Sequence, residues 1–223
     1  MYAWPGTSYS REKRAIGGNI LFTKKGLAQN WRGVRPYVIF AAILFFASIV
    51  VGGASEGRVD WLDSMIGSLK KLAETASESE HPQQAMFSSI AFNNIYASLM
   101  AMFMGIVGGI MPIITLITNG MVMGYLFKGL ANQGENIGLL IVKGILPHGI
   151  LELPALFFAC GYGIRLGFQL IKGIFGSLIG KTAPWSGFAL ALKGSVPAAL
   201  LLIVLLLVAA LLESTVTYWM MGS

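Results

Sequence analysis

Residues 195–212 read SVPAALLLIVLLLVAALL, a run without a single charge. At about 1.5 Å of rise per residue it is long enough, as a helix, to cross the roughly 30 Å hydrocarbon core of a bilayer. A helix that is apolar on every side has no face to offer water, so this run forces the chain either into a large protein core or into lipid. Four further apolar blocks, at 36–53, 85–105, 108–128 and 136–164, decide for lipid, and the last span is placed at 195–215. With 223 residues, 55% of them hydrophobic and 12% charged, little chain is left over for a separate soluble domain. The expected fold is all-α: an integral membrane protein of about five transmembrane helices with amphipathic interfacial helices, forming a single membrane domain over 36–219.

The sign pattern of the charges sets the expected topology. Arg11, Lys13, Arg14, Lys24, Lys25, Arg32 and Arg35 precede the first span, so 1–35 reads as a basic cytoplasmic leader. Within it, Ile20 to Phe22 with Leu27 and Trp31 fit a short amphipathic helix on the inner leaflet. The 54–84 loop carries Glu56, Asp60, Asp63, Glu74, Glu78 and Glu80 and is placed outside. There Trp61, Met65, Ile66, Leu69 and Leu72 recur at helical spacing. Arg165, Lys172, Lys181 and Lys193 make 165–194 a second inner segment, with an interfacial helix expected over 166–178. Five spans with the amino end in the cytoplasm satisfy the positive-inside rule, and the cell membrane is the expected location. The polar, basic beginning of the chain is wrong for a cleavable signal peptide. No interleaving of aromatic and basic residues points to a nucleic acid, and none is expected as a partner. Cys160 is the sole cysteine and can form no intrachain disulfide.

Against this background the informative residues are the polar ones inside apolar blocks. The stretch Leu146-Pro147-His148-Gly149-Ile150-Leu151-Glu152-Leu153-Pro154-Ala155 puts an imidazole and a carboxylate one helical turn apart, at positions expected to lie at membrane depth. Proline donates no backbone N–H, so a break or kink at Pro147 and Pro154, eased by Gly149, is expected. Asn93 and Asn94 stand side by side in the second span, and Asn119 shares a face with Thr115 in the third. The glycines Gly105, Gly109, Gly120 and Gly124 have spacings that let helices approach closely. Glu213 falls near the end of the last span.

Taken together, Phe92-Asn93-Asn94, Gly105 and Gly109, Thr118-Asn119-Gly120 with Gly124, Leu146-Pro147-His148-Gly149-Ile150 with Glu152, and Glu213 resemble the stage II sporulation protein M family. The resemblance runs from about Arg35 to Thr217, and the proline-histidine-glycine-x-x-glutamate core is its specific part. It implies a multi-pass bacterial or archaeal membrane protein that partners membrane-anchored peptidoglycan hydrolases and acts as a scaffold in sporulation. Related proteins also accompany circular bacteriocins, so the family name alone does not fix a role.

The residues leave three readings of the polar positions open. In the first, His148, Glu152, Asn93, Asn94 and Asn119 form a polar membrane cluster that ties helices together, and the chain scaffolds partners such as cell-wall hydrolases, as a homodimer or in a hetero-complex. In the second, a broken fourth helix exposes backbone beside a titratable pair and carries a proton or small solute, or serves peptide export or bacteriocin maturation. In the third, the chain is an intramembrane hydrolase; a catalytic zinc needs three protein ligands, which the spacing does not supply. The first reading requires no reaction, so the expectation is a protein that is not an enzyme and needs neither cofactor nor metal.

Overall fold

The computed structural model of the protein describes residues 23–57, 59–77, 82–140 and 146–221. In chain order the helices are α1 (Lys24–Ala54), α2 (Asp60–Ser77), α3 (Pro82–Met104), α4 (Ile110–Asn132), the single turn α5 (Ile137–Leu140), α6 (Leu146–Leu178) and α7 (Ser186–Met221). Five of them, α1, α3, α4, α6 and α7, are long and apolar enough to cross a membrane. The chain is therefore an all-α membrane protein. Ile20 to Phe22 of the expected leader helix lie outside the described residues, whereas Leu27 and Trp31 belong to the first turns of α1.

Local chemistry accounts for the helix ends. Thr23 caps α1, its Oγ1 accepting the Gly26 N–H at 3.2 Å, which satisfies one of the donors a helix start leaves free. Between α3 and α4 the backbone turns through Gly108 and Gly109 at φ 64° and 77°, a left-handed conformation open to glycine at little steric cost. That geometry converts one apolar run into two antiparallel helices.

Several expected boundaries need correction. Pro36 does not begin the first helix but lies inside α1, and Pro197 likewise lies inside α7, which starts at Ser186 rather than 195. Of the break or kink expected at Pro154, the break is excluded, since α6 runs through it. Pro147 sits in the first turn of α6, where its missing N–H would have had no intrahelical partner. The fourth span and the interfacial helix expected at 166–178 are one helix. Arg165, read as the charge that ends the span, is instead buried among neighbouring helices, so it does not terminate anything.

α6 stands at the centre. Its Ala155, Ala159, Tyr162 and Leu166 pack with Val34 of α1, Met102 of α3 and Ala191, Ala198, Leu202 and Leu206 of α7. On its other side Phe157 and Cys160 meet Ala41 and Phe45 of α1, Ala101 of α3 and Leu116 of α4. α1 and α4 make the most extensive helix pair, whereas α3 and α4 touch little beyond their shared turn, each leaning on α6 instead. Large apolar side chains such as Val50 and Leu201 point outward, the arrangement that suits a lipid surround. α2 packs across α3 and α4 and is pinned by the Tyr125 hydroxyl, which donates to Asp63 Oδ1 at 3.1 Å. Leu62 of α2 is buried, while Trp61 and Met65 remain exposed.

Candidate functional site

The gap left between α3 and α4 is a cleft of about 220 Å³. α3 contributes Asn93, Asn94 and Ser98, α4 contributes Thr115 and Asn119, and α6 contributes Glu152, with Phe45 and Leu206 among the apolar residues behind them. Asn94 bridges two helices, its Nδ2 donating to Glu152 Oε1 at 2.5 Å. A carboxylate accepting from an amide is favoured over one left bare in a dry medium. Asn93 Nδ2 reaches Asn94 Oδ1 at 3.5 Å, and Asn119 Nδ2 donates to its own helix at the Thr115 carbonyl, 2.7 Å away. Asn93 and Asn119 are exposed at the rim, Asn94, Thr115 and Glu152 are half-buried, and Ser98 is buried at the base. The cleft therefore opens sideways, off the flank of the bundle. Toward the α3–α4 turn it is filled by buried Ala101, Met102, Pro112 and Leu116.

The structure thus gathers four of the five residues expected in the polar cluster: Asn93, Asn94, Asn119 and Glu152. The fifth, His148, has its backbone in α6 one turn before Glu152, but its side chain lies outside the described residues, as do those of Pro147 and Glu213. Gly149 is half-buried in the first turn of α6 and Pro154 is exposed on its surface. Among the described residues no three His, Cys, Asp or Glu side chains come together.

The glycines sit in two seams on opposite sides of the cleft. Gly120 and Gly124 of α4 lie against α1, where a Cβ on Gly120 would stand 2.6 Å from the Phe45 carbonyl oxygen, and Gly52 answers from α1 against the Met121 backbone. Gly105 and Gly109 lie against α6 at Gly163, Ile164 and Gly167. The second seam holds the α3–α4 turn to α6, so the space of the cleft does not continue past it.

A second polar cluster lies about 20 Å farther along α6, at the rise of a helix. Arg165 is only 5% exposed, and its Nη1 donates to Asn30 Oδ1 at 2.6 Å and to the Asn30 carbonyl at 3.3 Å. Tyr162 donates its hydroxyl toward Asn30 Oδ1 at 3.0 Å and the Ala191 carbonyl at 2.9 Å, and Asn30 Nδ2 donates to the Gly194 carbonyl at 3.0 Å. The guanidinium also stands 5.4 Å from the Tyr162 ring centre. α1, α6 and α7 are tied at one level by these groups. Sequence reading missed the cluster because Asn30 hides among the basic residues that precede the first span and Arg165 looks like a surface charge. The available signal was Tyr162 and Arg165 three apart on one helical face, beside the small residues Ala155, Ala159 and Gly163.

Comparison with known proteins places the chain by family. The family described as Stage II sporulation protein M matches residues 36–218, nearly the whole helical part of the chain. No curated protein and no solved structure matches. A match over that length, through all five long helices and both seams, makes the chain a member of the Stage II sporulation protein M family.

Proposed function

We propose that this sporulation-family membrane protein is a scaffold that positions partner proteins at the cell membrane, as in sporulation-associated peptidoglycan remodelling, with its amino end in the cytoplasm. Membrane-anchored cell-wall hydrolases are the partners this reading names. The observation that carries it is the Asn94–Glu152 bond at 2.5 Å, which joins α3 to α6 across the cleft. Polar groups engaged with each other between helices fix their register, and they need no substrate to account for them. The lateral opening of the cleft, and its closure at the α3–α4 turn, favour contact with another protein in the plane of the bilayer over passage through the bundle.

The test replaces Glu152 by Leu and Asn94 by Leu and follows three quantities: the amount of protein in the membrane, recovery of membrane-anchored hydrolases with it, and proton-coupled flux in liposomes. Scaffolding predicts that protein level or partner recovery falls several-fold in both variants, with no flux to lose. Variants that stay abundant and partner-bound while a wild-type flux disappears would instead establish the transport reading, in which Glu152 exchanges a proton with the cleft.

A further inference from the structure

Among the described residues three serines are buried in the bundle, and two behave alike. Ser48 donates to the Leu44 carbonyl and Ser195 to the Leu192 carbonyl, both at 2.7 Å, the usual solution for a hydroxyl inside a membrane helix. Ser98 is 4% exposed, lines the cleft, and makes no hydrogen bond among the described residues. The two exposed carboxamides at the rim are also incomplete, since among the described residues Asn93 and Asn119 each use one N–H and neither oxygen accepts a bond. Asn119 is near the middle of α4 and Asn93 near the middle of α3, so these groups face hydrocarbon rather than water. Lipid chains cannot satisfy them.

We propose that the cleft is completed by a second copy of the chain, whose rim carboxamides enter it across a two-fold axis parallel to the membrane normal. Such an axis keeps every residue at its own depth, so the second Asn93 and Asn119 arrive at the level of the first pair. A carboxamide is both donor and acceptor, so the set is self-complementary, and the reach to Ser98 gives the buried hydroxyl its partner. A partner of different sequence would need a polar residue at this same depth. Beside the carboxamides the surface offers an apolar margin, the stacked Phe92 and Tyr96 rings, 6.0 Å apart and 73% and 57% exposed, with Ile114 on the other helix. Apolar contacts around central hydrogen bonds are the usual arrangement of a contact that must exclude competing groups. The dimer stands on these observations alone and does not depend on partner recruitment.

The test is run in membranes on the full chain carrying Cys160→Ala, which removes its one cysteine. Ile114→Cys leaves the carboxamides intact and is expected to form disulfide-linked dimers on mild oxidation. Leu201→Cys on α7, 60% exposed, is expected to give at most a tenth of that yield. Photobleaching of labelled protein at low density in liposomes is expected to show two steps, and Asn119→Leu to weaken the dimer about three- to tenfold. Single bleaching steps for the unmutated surface, as for a cleft filled by water alone, overturn the proposal. So do equal yields from Ile114→Cys and Leu201→Cys, or a dimer indifferent to Asn119→Leu.

Discussion

Arg165 and Asn30 show how much a single side chain can rest on another in this bundle. The guanidinium is buried without a carboxylate beside it among the described residues, and its hydrogen bonds all go to Asn30. Removing the Asn30 side chain leaves a buried charge with only the longer bond to the residue-30 carbonyl, while replacing the charge by a chain of similar length leaves no charge to satisfy. Asn30→Ala is therefore expected to cost about 2–3 kcal/mol and Arg165→Met less than about 1 kcal/mol, with strong coupling in the double variant. Unfolding of the purified protein in detergent, followed for the two single variants and their combination, measures this. Equal losses for the two single variants would mean that water solvates the charge. Glu152 is legible in the sequence because it interrupts an apolar run, whereas Asn30 sits in a polar stretch where an amide is unremarkable.

At the scale of the helix pair, close approach depends on which glycines face a neighbour. Gly124 of α4 packs on the backbone of α1 at Ile49 and Gly53, whereas Gly129, five residues later on the same helix, has open space around it. Gly124→Val is expected to force α1 and α4 apart and cost about 3 kcal/mol or prevent folding, in line with overpacking at a tight contact. Gly129→Ala should leave stability unchanged or raise it by about 0.5–1 kcal/mol, because alanine is the better helix former where nothing is in the way. Thermal unfolding of both variants decides between a seam and an incidental spacing. The small-residue spacing of α4 was readable from the sequence because Gly120 and Gly124 are four apart on one helix. Its partner, Gly52, was not, since it looked like the end of a span, and which helix a stripe meets is a long-range fact. The uninterrupted course of α6 was likewise hidden: prolines at 147 and 154 and a charge at 165 each argue locally for a boundary. Burial of the Arg165 face and a first-turn position for Pro147 removed two of those reasons. Exposure of Pro154 on the helix surface removed the third.

For the whole molecule, the number of spans and the all-α class were legible because a bilayer makes length and apolarity nearly sufficient evidence. The convergence of Asn93, Asn94, Asn119 and Glu152 on one cleft was only half legible: each stood out as polar at membrane depth, but their meeting depends on α3 and α4 splaying from their glycine turn onto α6. That arrangement leaves a polar cleft on the flank of the bundle, at a depth where water is expected to be excluded. Collision of a water-soluble relaxant with a spin label at Ala97, an exposed residue of the cleft wall, in lipid nanodiscs holding the Cys160→Ala chain, decides whether water reaches the cleft. A label at Gln133, exposed at the end of α4, supplies the aqueous reference. The label at 97 is expected to collide with the relaxant at least tenfold less than the label at 133. Comparable collision at the two positions would mean that water reaches the cleft, and would contradict that expectation.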